Sequence, residues 1–299
     1  MSIELSTPGV DDLPAAVAAL RDWQRAGVPL QFHPGDLGWF WRFGAQQAAA
    51  ATRIWTRDGR IVALGMADYP DLIRMTTAPD LSADEELARQ LAADLSDPRR
   101  GILNDGEVFV EAPNDALVRD VLLASGWEAG EAWTPLERDL GAPVEAPQLR
   151  IEVVGPDRVG DRVAVGRASF NNSTFCAEHW HSMAGGAAYD DARCLVGYDD
   201  RDTPVAMTTV WSAGPGKPGL IEPLGVHHDH RGHGYGTSIC LAAAAALREM
   251  GSPSVQVCTP SSNVVAVAAY GSAGFQQLPS RRDLRRPAPA RPPDSGIRS

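Results

Sequence analysis

The amino-acid sequence predicts an α/β (α+β) fold made of two tandem domains. Strand-like and helix-like segments alternate along the 299 residues. Residues 140–148 form a linker with two prolines and no hydrophobic periodicity, and the segments before it follow a similar order to those after it. A chain of this length can form two domains of ordinary size.

The first domain is predicted to span residues 1–140. Asp58 and Gly59 favour a tight turn between two strands, and Gly126 is typical of a residue that ends a helix. The pattern predicts, in order, a hairpin of residues 54–55 and 61–69, a strand over Val108–Glu111 and a helix over 115–124.

The second domain is predicted to span residues 150–279. A strand over 219–226 leads into the turn Arg231-Gly-His-Gly-Tyr-Gly236, and a helix over 237–250 follows. Such a turn directs several backbone N–H groups to one point, where the helix dipole also favours negative charge. The turn therefore predicts a phosphate site, with an ordinary tight strand–helix turn as the alternative.

Two common phosphate motifs are excluded here. A dinucleotide fingerprint needs a different glycine spacing and a later acidic residue, whereas Gly232, Gly234 and Gly236 alternate. A P-loop needs a lysine after the last glycine, and the only lysine of the chain, Lys217, precedes the turn.

A second motif follows the turn. Residues 254–259 are typical of a strand, after which Asn263, Ala266 and Tyr270 share one face of a predicted helix. Gly274 is predicted to cap this helix, and Phe275 to begin a new strand.

Together, Arg-x-x-Gly-x-Gly and Asn-x-x-Ala-x-x-x-Tyr-x-x-x-Gly-Phe resemble the GNAT superfamily of acetyl-CoA-dependent N-acetyltransferases over about residues 150–278. The tandem layout resembles that of mycothiol synthase and related actinobacterial acetyltransferases. The resemblance implies a mixed, mostly antiparallel twisted sheet flanked by helices in each domain. It also implies acetyl-CoA as co-substrate and direct attack of an amine on the thioester.

The resemblance implies the cofactor-binding residues. The Val226 N–H would hold the carbonyl oxygen, the glycine turn would hold the pyrophosphate, and Arg231 would add charge or order the loop. Asn263 would bind the pantetheine arm or the neighbouring strand, with a helix N-cap as the alternative. The full set is Val226, Arg231, Gly232, His233, Gly234, Tyr235, Gly236, Thr237 and Asn263.

Two residues are predicted to be catalytic. Tyr270 occupies the position where the family places a general acid for the leaving thiolate, and a buried structural tyrosine is the alternative. Glu222 lies in an apolar strand, where a lone carboxylate is unusual, and is the candidate general base. A salt bridge or an anchor for a cationic substrate is the alternative role for Glu222.

Substrate contacts are predicted at Glu178, Trp180 and Trp211, where a carboxylate and aromatic rings can receive a cation. Burial of these aromatic residues in the core is the alternative. Residues 39–41 in the first domain are candidates for closing the cleft.

The first domain is predicted to bind no acetyl-CoA. Where the family pattern requires arginine and glycines, residues 78–87 instead carry Asp84, Glu85 and Glu86 near the start of a helix. These carboxylates suit a helix N-terminus but repel phosphate.

Composition limits the remaining possibilities. The net charge is −11, although residues 280–299 are rich in proline and arginine and are predicted to be a disordered tail. An acidic protein disfavours nucleic acid, no apolar run reaches 18 residues, and the four cysteines lack C-x-x-C spacing. We therefore expect no metal, no nucleic-acid or membrane partner, a cytoplasmic location without a signal peptide, and a monomer or homodimer.

The expected activity is acetylation of a primary amine on a small, cationic molecule, with antibiotic resistance as one possible role. A mycothiol-type biosynthetic acetyltransferase and a non-catalytic acetyl-CoA sensor are the alternatives.

Overall fold

A single sheet of thirteen strands runs through the computed structural model, which describes residues 2–28, 30 and 32–288. The first half of the chain contributes β1 (Ile3–Ser6), α1 (Leu13–Trp23), α2 (Pro34–Phe40), α3 (Ala45–Ala51), β2 (Thr52–Arg57), β3 (Arg60–Tyr69), β4 (Leu72–Thr77), α4 (Glu85–Ser96), β5 (Val108–Glu111), α5 (Val118–Ala124) and β6 (Glu128–Asp139). The hairpin and the β5 strand predicted from the sequence are confirmed.

The second half begins after the predicted linker. It contributes β7 (Arg150–Val153), α6 (Val159–Ser169), α7 (Ala177–Ala184), β8 (Ala192–Tyr198), β9 (Pro204–Trp211), β10 (Gly219–Val226), α8 (Tyr235–Glu249), β11 (Ser254–Pro260), α9 (Val264–Ser272), β12 (Gln276–Gln277) and β13 (Arg281–Arg286). The strand–turn–helix unit and the second strand–helix unit predicted from the sequence are therefore present. The domain limits at 140 and 150 stay a prediction.

The two halves exchange their last strands. The strand order is β1-β2-β3-β4-β5-β13-β6-β11-β10-β9-β8-β7, and β12 also pairs with β6. The second part of β6 pairs antiparallel with β11, for example Leu136 with Val257. In return, β13 from the end of the chain lies between β5 and β6. Neither half therefore completes its sheet alone.

The prediction of a disordered tail is wrong for residues 281–286, which form β13. Leu284 is fully buried in the core of the first half, and Arg281 donates a hydrogen bond to the Glu111 carboxylate at 2.8 Å. Burial of Leu284 and pairing of a buried charge offset the cost of ordering this segment. The remainder of the predicted tail, residues 289–299, lies outside the described residues.

Helix α2 joins the two halves through close packing. Gly35 and Gly38 lie directly against the Trp211 ring, because a Cβ atom built on either glycine would come within 2.4 Å of it. Trp211 in turn donates a hydrogen bond from Nε1 to the Glu222 carbonyl oxygen at 2.7 Å. This packing places the first turn of α2, with Asp36, beside β10. Within the described part of the chain, no helix combines the length and apolarity needed to cross a membrane.

Leu284→Ala should lower the free energy of unfolding by about 2–5 kcal/mol, since a fully buried leucine is removed from a packed core. Arg282→Ala, on the exposed face of the same strand, is the matched control. Chemical denaturation of both variants measures the difference. Equal, small losses would show that β13 contributes little to the fold.

Candidate functional site

The site is built where β10 and β11 separate. These neighbouring strands pair in parallel only at Gly219–Val255 and Leu220–Gln256, although both continue for several residues. An irregularity in β10 between Ile221 and Leu224 also shifts its register against β9. The gap between the strands opens into two cavities described below.

The first cavity, called here the cofactor groove, has a volume of about 640 Å³. It lies between the end of β10, the glycine-rich turn and α9. Its lining includes eight of the nine predicted cofactor-binding residues: Val226, Arg231, Gly232, Gly234, Tyr235, Gly236, Thr237 and Asn263.

The backbone of the turn suits an anion. Gly232 and Gly234 have φ values of +82° and +79°, a region that favours glycine, and Gly234 is the N-cap of α8. The first N–H groups of a helix have no partner within the helix, so those of the α8 N-terminus are available at the groove. The predicted phosphate cradle therefore has the required backbone geometry.

Arg231 orders the turn. Its Nη2 donates to the Ser169 carbonyl at 2.8 Å, and its Nε donates to the Val226 carbonyl at 3.4 Å. His233 is the one predicted cofactor residue that does not line the groove. It instead stacks on Tyr235, with ring centroids 5.6 Å apart.

The Val226 N–H faces the gap between β10 and β11. His227 donates its backbone N–H to Val205 of β9 at 2.9 Å. Successive N–H groups of a strand point to opposite sides. The N–H of Val226, one residue before His227, therefore points away from β9. This orientation is the one required of a donor to a carbonyl oxygen in the groove.

The second cavity, called here the acceptor cavity, has a volume of about 380 Å³. It shares five lining residues with the cofactor groove, so the two spaces adjoin one another. The shared residues are Phe170, Leu224, Asn263, Ala266 and Ala269. The first half of the chain also lines it, through Leu30, Asp36, Arg74 and Trp133, and β13 contributes Arg281.

Charged side chains from both halves form one network along this cavity. Arg74 pairs with Asp36 through Nη1 and with Glu111 through Nε at 2.8 Å. The same Arg74 Nη1 lies 3.9 Å from Glu222 Oε2. Glu111 is shared with Arg281, at 2.8 Å. The network connects the predicted base to the first half of the chain.

The environment of Glu222 raises its pKa to about 8. Burial is the largest cause, and the carboxylates of Asp36 and Asp68 add to it, while Arg74 opposes the shift. The side chain is still 31% exposed, because it faces the cavity. A carboxyl group with this pKa is suited to accept a proton near neutral pH.

Tyr270 lines the same cavity from α9 and is 7% exposed. Its ring packs against Phe275 at 5.6 Å between centroids. Burial raises its pKa well above the ordinary value for tyrosine, so the phenol stays protonated. Tyr270 can therefore donate a hydrogen bond into the cavity.

Asn263 is an N-cap, which is the alternative considered from the sequence. Its Oδ1 accepts a hydrogen bond from the Ala266 N–H at 3.2 Å, at the start of α9. Since Asn263 also lines both cavities, its contact with a cofactor stays a prediction.

The predicted substrate contacts require correction. Glu178 is exposed in the first turn of α7, and Trp180 and Trp211 are 6% and 0% exposed in the core. The described residues that line the acceptor cavity include none of these three. Large aromatic rings are buried here because they fill the space between the two halves.

Sequence reasoning missed the charged residues from the first half and the tail. One signal was present, because Glu111 ends an apolar strand and, like Glu222, needs a partner when buried. The partners, Arg74 and Arg281, are 37 and 170 residues away along the chain.

The equivalent turn in the first half is built differently. Asp84 caps α4 by accepting a hydrogen bond from the Leu87 N–H at 2.7 Å, and its pKa is lowered to about 2, first by a hydrogen bond from Arg57. Glu85 and Glu86 occupy the first turn. The cavity lined there by Thr76, Thr77 and Ser82, among others, measures about 100 Å³. That only the second half binds acetyl-CoA stays a prediction.

A group of metal-ligand type occurs at the entry to the glycine-rich turn. The ligand atoms of His227, His228 and Asp229 lie within 4.8 Å of one another. His228 Nδ1 is, however, within 2.7 Å of the Ala168 carbonyl oxygen, and the group is largely exposed. The expectation that no metal binds stays a prediction.

Comparisons with known proteins agree with this geometry. Residues 166–275 match the family model described as acetyltransferase (GNAT) family. A search of curated proteins gave no significant match.

Several solved structures share the fold across both halves. A tandem GNAT protein from the clavulanic acid biosynthesis pathway aligns with a TM-score of 0.62 and 17% identity, over 97% of this chain and 100% of that one. A GCN5-related N-acetyltransferase from Sphaerobacter thermophilus gives 0.58 and 16%, over 95% of each chain. A GNAT-family acetyltransferase from Colwellia psychrerythraea gives 0.57 and 17%, over 95% and 99%. The predicted tandem fold is therefore confirmed, while the specific likeness to mycothiol synthase stays a prediction.

Proposed function

We propose that this chain, whose residues 166–275 form a GNAT acetyltransferase domain, transfers the acetyl group of acetyl-CoA to a primary amine of a small molecule. The observation that carries the proposal is that the cofactor groove adjoins the acceptor cavity, which is lined by Glu222 and Tyr270. Acetyl-CoA would supply the activated acyl group, and the chain would position and deprotonate the amine.

The groove fits the cofactor. The α8 N-terminus and the turn at Gly232 and Gly234 offer backbone donors for a pyrophosphate. The Val226 N–H is directed to the same gap and would hold the thioester carbonyl oxygen, where a preorganised donor contributes about 10²–10³ in rate.

Glu222 would remove the proton from the amine. An alkylammonium has a pKa of about 10.4, so it carries its proton at neutral pH and cannot attack. A cation bound beside Glu222 would favour the ionised carboxylate, and the neighbouring Asp36 would add to the attraction. Tyr270 would then give a proton or a hydrogen bond to the thiolate as the carbon–sulfur bond breaks.

The charged residues that line the acceptor cavity help to distinguish between the alternative functions. Arg74 and Arg281 line it together with Asp36 and Glu222, so an acceptor with many positive charges, such as an aminoglycoside antibiotic, would meet two arginines as well as two carboxylates. A mycothiol-type acceptor is compatible with this lining. A sensor that binds acetyl-CoA without turnover would need neither Glu222 nor Tyr270 in the cavity.

The proposal is tested by measuring thiol release from acetyl-CoA with a panel of primary amines, including aminoglycosides, cysteinyl amines, amino acids and basic peptides. Release that depends on a small amine supports it. Release with none of the amines, in a protein that binds acetyl-CoA, would favour the sensor.

Gly236→Glu should weaken acetyl-CoA binding while the protein stays folded. A Cβ atom at Gly236 would lie 3.6 Å from Ala269, an ordinary contact, but a carboxylate there would extend into the phosphate site. Calorimetry should show one site per chain in the unchanged protein and a loss of affinity of at least about tenfold in the variant, equal to 1.4 kcal/mol.

Gly271→Glu is the matched control, because an added Cβ there meets no atom within 4 Å and the residue lies outside both cavities. Unchanged affinity in a folded Gly236→Glu variant would contradict the assignment of the groove.

A further inference from the structure

One positively charged side chain that lines the acceptor cavity, that of Arg281, is not explained by acetyl transfer to an amine. Its charged lining residues are two acids, Asp36 and Glu222, and two arginines, Arg74 and Arg281. The acids suit an ammonium group, and Arg74 is needed to pair with them. Arg281 has no such role, because it does not contact either of these acids.

Arg281 shares its hydrogen-bonded carboxylate with another arginine. A single oxygen of Glu111, Oε2, accepts hydrogen bonds from both Arg74 Nε and Arg281 Nη2, each at 2.8 Å. The charge of Asp283, two residues further along β13, also favours the charged form of Arg281, but its Oδ2 accepts a hydrogen bond from Trp133 Nε1 at 2.8 Å. Arg281 is 8% exposed, and its Nε has no hydrogen-bond partner among the described residues. A guanidinium that shares its hydrogen-bonded carboxylate with a second arginine has donors left for another anion.

Arg281 also lines two cavities. Besides the acceptor cavity, it lines an adjoining cavity of about 270 Å³. Leu30 is common to both linings. An acceptor that reaches from Glu222 to Arg281 therefore has room at its far end.

We propose that the acceptor carries a carboxylate set apart from its reactive amine, and that Arg281 binds this carboxylate while the amine lies at Glu222. This inference rests on the proposed acetyl transfer to an amine. Arg74 and Glu111 lie between the two ends, since Arg74 approaches Glu222 at 3.9 Å and Glu111 joins Arg74 to Arg281. An ω-amino acid carries its amine and its carboxylate at opposite ends, whereas an α-amino acid carries both groups on one carbon.

The test compares kcat/KM for three acceptors on the full chain. 5-Aminopentanoate has the proposed form, pentylamine replaces its carboxylate by a methyl group, and norvaline carries the amine next to the carboxylate. We expect 5-aminopentanoate to exceed pentylamine by about 10- to 100-fold, the range of a charged hydrogen bond. Norvaline should be no better than pentylamine.

Arg281→Gln should bring the ratio of 5-aminopentanoate to pentylamine close to one, and Arg281→Lys should retain an intermediate ratio. Glu111 keeps Arg74 as a partner in both variants. Arg282→Gln, whose side chain is exposed, is the matched control and should keep the ratio of the unchanged protein.

The outcomes separate the two proposals. Equal turnover of 5-aminopentanoate and pentylamine, or a ratio that survives Arg281→Gln, would overturn the carboxylate site and leave acetyl transfer intact. Absence of turnover with every amine would overturn the proposed function and this inference with it.

Discussion

Glu222→Gln should lower kcat by about 10²–10⁴, the contribution typical of a general base, with acetyl-CoA affinity unchanged. Glutamine keeps the shape of the side chain but cannot accept the proton of the amine. Steady-state kinetics with one accepted amine measure kcat and KM separately. If Glu222 serves as an anchor for the ammonium, KM should rise while kcat stays the same.

The pH dependence identifies the titrating group. A base acts in its ionised form, and the pKa of Glu222 is about 8, so the rate of the unchanged protein should rise as pH increases through this value. Glu222→Gln should lack this rise and follow only the deprotonation of the amine at higher pH.

Asp68→Asn is a sharper control for the same assignment. Asp68 raises the pKa of Glu222 by its charge but does not line the acceptor cavity. Removing this charge favours the ionised form of Glu222, so the rise in rate should move to lower pH. A profile that is identical in all three proteins would exclude Glu222 as the base.

Tyr270→Phe should reduce the rate of the chemical step by about 10²–10⁴ and change cofactor affinity little, because a proton donor acts mainly in the transition state. Phenylalanine keeps the packing against Phe275, so the fold should not change. Single-turnover kinetics with bound acetyl-CoA measure this step directly.

Tyr198→Phe controls for the loss of a tyrosine hydroxyl elsewhere. The Tyr198 hydroxyl donates to Asp161 at 2.6 Å, remote from both cavities. Comparable, small effects of the two substitutions on rate would return Tyr270 to a structural role.

The local parts of the site could be predicted from the sequence. The turn around Gly232 and Gly234 depends on backbone conformations that glycine alone adopts readily, and a helix N-terminus follows it directly. The Asn263–Tyr270 segment likewise depends on helical periodicity. Short-range rules of this kind are sufficient to place a cofactor groove and one predicted catalytic residue.

The acceptor cavity could not be predicted in the same way. Besides Glu222, its charges come from Asp36, Arg74 and Arg281, and Arg281 reaches the other two only because β13 lies between β5 and β6. A proline- and arginine-rich end of the chain has the composition of a disordered segment, and its burial depends on a sheet formed by the other half. The buried positions of Trp180 and Trp211 could not be predicted for a related reason, since a sequence does not show which aromatic rings fill an interface.

The central claim is that the groove and the cavity act as one site for acetyl transfer. The most direct measurement is to quantify released coenzyme A thiol and N-acetylated amine in the same reaction, with the full chain, acetyl-CoA and an amine from the panel. The account predicts that both products form in equal amounts and that both depend on the amine. Thiol release without acetylated amine, or tight binding of acetyl-CoA with neither product, would contradict it.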